Sequence, residues 1–250
     1  MDKRTQGGGN FHDLVVIHRL DVGPPRIETN RIKVPYTLLK KDSRDTIDLI
    51  YTYPEDVFEP DDAKARNLAS ILSAQVALNY GLFCKEMVFH GSFDRADQKF
   101  IRDMARNTAR EIFVKKFLEP NPFIRPDFKK PTPIRRESYL HAEINFREAE
   151  GSIGGELTLP PEKGIDGNAR RYAVMSSGGK DSLLSFGLLR EMGREVHPVF
   201  LNESGRHWFT ALNAYRHFSV HIPHTTKVWT NADRVFNRML RHLPFIRQDY

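Results

Sequence analysis

The chain has 250 residues, with 38 Lys and Arg against 32 Asp and Glu for a formal charge of +6; 40% are hydrophobic and 28% charged. That balance excludes wholesale disorder and leaves chain enough for one large domain or two ordinary ones. The single cysteine, Cys84, excludes an internal disulfide framework and any multi-cysteine zinc or iron–sulfur centre.

Residues 1 to 12, with a glycine run beginning at Gly7, read as a flexible tail. Short strands are expected over 14–17, 32–36 and 46–51, the last alternating polar and apolar. A helix is expected from Asp61, with an acidic first turn and Leu68, Ile71, Leu72, Val76 and Leu78 as its apolar stripe. The stretch from Leu68 to Cys84 is interrupted by Ser70, Ser73, Gln75 and Asn79, so no membrane span is expected. The N-terminus lacks the apolar core of a secretory signal, which makes the cytoplasm the expected compartment. Residues 85–90 read as a further strand.

A second helix is expected from Asp94 to Leu118, turning Ile101, Met104, Thr108, Ile112 and Phe113 inward. Arg95, Lys99, Arg102, Arg106 and Arg110 recur on another side. They are either a stripe that meets phosphates or, the preferred reading, a solvated face ion-paired to Asp103 and Glu111. Pro120, Pro122, Pro126, Pro131 and Pro133 exclude a helix or central strand between them. Gly154, Gly155, Pro160, Pro161 and Gly164 mark a linker over 151–170. The expected organisation is therefore an N-terminal α+β accessory domain over 13–150 and a second domain over 171–250.

The second domain carries the chemistry. Tyr172-Ala173-Val174-Met175 is a short apolar run, as expected of a central parallel strand. It runs into Ser176-Ser177-Gly178-Gly179-Lys180-Asp181-Ser182, then a leucine-rich helix stopped by Gly193 and a strand over 196–201. Strand, glycine turn, helix is the arrangement that points a helix N-terminus at an anion. Gly178 and Gly179 let the backbone approach a ligand, and their amides can converge on phosphate oxygens. Ser177 and Ser182 add neutral donors and Lys180 a mobile positive charge. Asp181 makes sense beside a polyphosphate if a divalent cation bridges them. Otherwise Asp181 or Ser182 is a plain helix cap. Neither the Walker spacing nor the Gly-x-Gly-x-x-Gly fingerprint is present.

Ser177-Gly178-Gly179-Lys180-Asp181-Ser182 resembles the pyrophosphate loop of the N-type ATP pyrophosphatases, a branch of the adenine nucleotide alpha-hydrolase-like fold. The match covers 172 to about 201. The resemblance implies an α/β domain with a parallel sheet, and ATP and magnesium as cofactors. It implies cleavage of ATP to AMP and pyrophosphate, with a substrate atom attacking the alpha phosphorus. By the same resemblance Ser177, Gly178, Gly179 and Ser182 grip the pyrophosphate, Lys180 neutralises charge, and Asp181 contacts magnesium. Phe200 and Asn202, at the end of the next strand, would face adenine and ribose.

One cysteine cannot supply the paired thiols that sulfur-transferring tRNA enzymes of this family often use, which favours a carboxylate as the group adenylated. About 170 residues precede the loop, a layout similar to that of the ATP-dependent epimerases acting on the terminal glutamate of a muramoyl dipeptide, a step of peptidoglycan-precursor chemistry. RNA modification, on the basic helix and net charge, and ATP binding without catalysis are the alternatives. Arg206 and His207 are further candidates for substrate contact. His217, His221 and His224 invite a metal reading that Pro223 weakens, so exposed or capping histidines are preferred. Residues 232–243 read as a helix with Val235, Met239 and Leu240 inward. About 80 residues from Tyr172 hold two or three strand–helix units, so the parallel sheet is expected to be incomplete, by truncation or for want of another chain, with a free edge after its third strand.

Overall fold

A computed structural model describes residues 9–148 and 171–247. The expected linker and the extreme N-terminal residues lie outside them. The chain forms an α/β fold around one mixed sheet of nine strands. In chain order the strands are β1 (Ile17–Val22), β2 (Arg26–Glu28), β3 (Arg31–Leu39), β4 (Arg44–Thr52), β5 (Cys84–His90), β6 (Glu143–Arg147), β7 (Arg171–Ser176), β8 (Glu195–Asn202) and β9 (Thr226–Thr230). The α-helices are α1 (Ala63–Ala74), α2 (Arg95–Ile112), α3 (Lys180–Glu191), α4 (His207–His221) and α5 (Ala232–Leu240). The strand order is β6-β5-β1-β3-β4-β9-β8-β7, with β2 pairing onto β3. β7, β8 and β9 are parallel; β9 then joins β4 antiparallel.

The first core forms because β3 places Ile32, Val34, Tyr36 and Leu38 on one face at a spacing of two, all buried. The Tyr36 hydroxyl donates to the Ser73 carbonyl of α1. That helix departs from its predicted stripe. Leu68 is exposed, and the buried residues are Ala65, Asn67, Ala69, Ser70, Ser73 and Ala74. Small side chains win here because the neighbouring backbone comes close. A Cβ on Gly91 would lie 2.4 Å from Ser70 Oγ, and that hydroxyl accepts the Ser92 amide at 3.0 Å. Asp62 caps the helix, its side chain accepting the Ala65 amide at 3.2 Å, so the two aspartates precede the first turn instead of forming the expected acidic one.

Two expectations near the N-terminus also need correcting. Asn10 caps a 3-10 turn at Phe11–Leu14, and both end residues of that turn are buried. Phe11 stacks on His141, so the chain is anchored from Asn10 onward, and the first strand begins at Ile17 rather than Leu14. In α2 the buried line is Ile101, Ala105 and Ala109, with Met104 partly exposed; the helix ends in a π-helical turn at Phe113–Leu118.

β7 is an edge strand, not a central one: among the described residues it pairs only with β8. The third parallel strand, β9, is covered by β4, so the free edge lies beside the first parallel strand instead of after the third. Met175 on β7 and Leu184, Leu188 and Met192 on and just beyond α3 remain exposed.

Nor do residues 171–247 form one separate core. Val174, Phe186, Val196, Phe200, Ala211 and Phe218 make a small cluster of their own. Val235, Met239, Leu243 and Phe245 belong to the larger one, where Phe245 meets Phe83, Phe117 and Phe128. At the surface of this joint Asp45 accepts a two-pronged contact from Arg238, at 2.7 and 2.8 Å, and another from His242 at 2.7 Å. The Arg238 hydrogen bonds, and then that of His242, lower the Asp45 carboxyl from 3.8 to about 2. A carboxyl depressed in the folded state stabilises the fold above its unfolded value and loses that contribution as pH falls through its folded one. Asp45→Asn should therefore cost about 1 kcal/mol near neutrality, a figure reduced for the half-exposed Arg238. In urea titrations the gap from the parent should close between pH ~4 and ~2; a gap independent of pH would refute the ion-pair account.

Candidate functional site

Parallel strands with helical crossovers place the strand C-termini and the helix N-termini along one edge of the sheet, where ligands of open α/β sheets bind. Here that edge carries the turn after Ser176, the loop over 203–206 after Asn202, and Asn231 after Thr230.

The first turn is built around its glycines. Gly178 has φ +75°, and a Cβ there would lie 3.1 Å from both Ala211 Cα and Ala214 Cβ. Only glycine fits between this turn and α4. Gly179 is the N-cap residue of α3, extended at φ −83° and ψ 164°, with no side chain capping the helix. The first intrahelical bond runs from the Leu183 amide to the Gly179 carbonyl at 3.1 Å. The amides of Lys180, Asp181 and Ser182 therefore have no acceptor among the described residues. Lys180, Asp181 and Ser177 are exposed.

The serines divide by role. Ser182 Oγ turns back, donating to the Gly179 carbonyl at 2.9 Å, and Ser177 Oγ accepts the Gly179 amide at 3.4 Å. Buried Ser176 accepts the Gly178 amide at 3.3 Å and lies 3.4 Å from Ser182 Oγ. Ser176, Ala211 and Ala214 thus position the turn. Sequence reasoning passed over them because a strand-end serine and two helix alanines look ordinary until the Gly178 contact is visible.

Phe200 and Asn202 separate. The Phe200 side chain is fully buried between Tyr215 and Phe218. Asn202 sits at the edge, its Oδ1 accepting the Ser204 amide at 2.9 Å. Ser204, at φ +63°, donates to the Thr230 carbonyl at 2.9 Å, and the Asp233 carboxylate rests against Gly205. Arg206 and His207 are exposed where α4 begins, on the same edge as the glycine turn. The histidines do not converge. His217 and His221 stack one turn apart on α4, whereas His224 stacks on His197. Among the described residues no group of three or more His, Cys, Asp or Glu is placed to hold a metal ion. A divalent cation at Asp181 would therefore rely on ligand phosphates for most of its oxygens, which is how magnesium is commonly held.

Cys84 is buried in the first core, where burial pushes its thiol far up, away from the thiolate form. Among the described residues no helix is long and apolar enough to cross a membrane. Comparison with protein families, with curated proteins and with solved structures finds no match.

Proposed function

We propose that the protein is an ATP-dependent adenylating enzyme of the N-type ATP pyrophosphatase kind, with the β7–β8–β9 unit as an adenine nucleotide alpha-hydrolase-like sheet. The observation that carries this reading is the glycine turn with three unclaimed amides at the C-terminal edge of that sheet. The amides of Lys180, Asp181 and Ser182 would bind the outer phosphates, with Lys180 offsetting their charge and Asp181 holding magnesium. Magnesium, when bound, supplies charge neutralisation on the pyrophosphate. The protein's own task is to hold that leaving group in line with the attacking atom, so positioning and charge do the catalysis.

The burial of Cys84 supports a carboxylate over a sulfur acceptor, since a core thiol can neither reach a substrate nor ionise readily. Adenylation of a carboxylate acidifies its alpha hydrogen, which a glutamate epimerase of muramoyl dipeptides would exploit; the long region ahead of the loop supports that member. The RNA reading loses ground because the basic stripe of α2 is partly spent. Lys99 and Arg106 share Asp103, and Arg102 lies over the Phe146 ring.

Incubation with ATP, magnesium and candidate carboxylic acids, glutamate-terminated peptides included, should release pyrophosphate and AMP. Persistent ADP would overturn the proposal, and saturable ATP binding with no cleavage for any acceptor would reduce it to nucleotide binding. Asp181→Ala should abolish turnover, by 100-fold or more (roughly the scale of losing one preorganised electrostatic group), with an unchanged melting temperature, because its exposed side chain makes no contact the fold needs.

A further inference from the structure

At the opposite end of the sheet, beside β6, a cleft of about 640 Å³ opens between α2 and the segment that leads into β6. Its volume is that of a small-molecule site. Four arginines line it, Arg106 and Arg110 from α2 and Arg135 and Arg136 from the loop, against a single carboxylate, Glu137. Arg106 is shared with Asp103 at 3.3 Å. Arg110 and Arg135 make no ion pair among the described residues, and Arg136 has a buried Nε with no hydrogen-bond partner among them.

Arg136 is nevertheless held in place: its guanidinium lies 4.2 Å over the Phe11 ring, which is itself fixed by Phe113 and His141. Burial, with the His12 and Arg136 charges nearby, holds the His141 imidazole below its usual value. Guanidiniums gathered in a concave site focus a positive potential and favour an anion that accepts forked hydrogen bonds. Three uncommitted guanidiniums match the charge of a diphosphate better than that of a carboxylate or a single phosphate monoester. An RNA strand fits less well. The one aromatic ring in the cleft, Tyr139, is already stacked on Phe113 and is not a free platform for bases.

We propose that this cleft is a second anion site, binding the diphosphate group of a small ligand through Arg110, Arg135 and Arg136. β6 and β7 are the two outer edges of the sheet, seven strand steps or about 34 Å apart at ~4.8 Å per step, so the cleft is separate from the glycine turn. The proposal stands whether or not that turn binds ATP.

The test is a titration of the full chain, without magnesium, followed through the arginine side-chain Nε–H resonances by NMR. Inorganic pyrophosphate should shift Arg136 and Arg110 saturably. Arg110→Gln and Arg135→Gln, both at exposed positions, should each weaken the affinity about tenfold, the scale of one charge-assisted contact, with unchanged melting temperatures. Arg102→Gln, on the same helix but over Phe146, should leave it unchanged. Repeating the titration with ADP separates a free pyrophosphate, if the inorganic ion binds tighter, from a diphosphate ester, if ADP does. The proposal fails if neither anion moves these resonances at millimolar concentration, if sulfate moves them equally, or if only an RNA oligonucleotide does. Because the signals are local to the cleft, binding at the glycine turn cannot mimic a positive result.

Discussion

Gly178→Val is expected to lower ATP affinity at least 100-fold and to reduce the melting temperature as well. Two costs add at this residue. Its φ of +75° lies in the left-handed region, where a β-branched side chain pays about 1–3 kcal/mol. The new Cβ would also meet the backbone of Ala211 at 3.1 Å, so α4 rather than a flexible side chain would have to move. The result is a turn forced open and amides aimed elsewhere. Gly179→Ala separates the two effects. That residue is extended, and the nearest atom to an added Cβ is Ser177 Oγ at 3.3 Å, the end of a short mobile side chain. Its fold should be untouched, while a methyl group enters the space a phosphate would occupy. Calorimetric titration with a non-hydrolysable ATP analogue, beside thermal melts, distinguishes the cases. Normal affinity in Gly178→Val would remove the glycine turn from the nucleotide site altogether.

The contrast between these glycines shows what the sequence made legible. Ser-Gly-Gly-Lys-Asp-Ser at the end of an apolar run is a local signal, and the strand, turn and helix around it form where expected. So do β3, β4, β5 and β8, whose patterns are dictated by their own residues, together with the start of α2 at Asp94 and the stop of α3 at Gly193. What the sequence hid is set by partners distant in the chain. Tyr172 to Met175 is apolar enough for a central strand, but composition says what can be buried and not what will be: among the described residues only β8 pairs with it. Leu68 looks like the inward face of α1 until Gly91 brings the backbone within reach of Ser70. Phe200 reads equally well as a base-facing aromatic or as core, and Tyr215 and Phe218 decide it. β6 and β9 are short and mixed in character, and they become strands only because β5, β8 and β4 offer them hydrogen bonds.

Asn231→Ala is expected to destabilise the protein by about 2–4 kcal/mol while leaving ATP affinity within a factor of two. The β4–β9 ladder has only two paired positions, Tyr51 with Thr230 and Thr52 with Trp229. Beyond them the Asn231 side chain continues the pattern: Oδ1 accepts the Ile50 amide at 2.8 Å and Nδ2 donates to the Asp48 carbonyl at 2.8 Å. Its own amide donates to the Ile50 carbonyl at 3.3 Å. The residue is buried, so its loss leaves a backbone donor and an acceptor without partners, and unpaired buried groups cost more than the bonds contribute. Urea unfolding should show the loss, and hydrogen exchange at Ile50 should accelerate with it. The glycine turn is spared because β8 and the fully buried Phe200 stand between β9 and β7. A cost below about 0.5 kcal/mol, the range of an ordinary surface change, would instead make α5 and Phe245 the joint between the two parts of the sheet, since those groups share the first core without using this hydrogen-bonded seam.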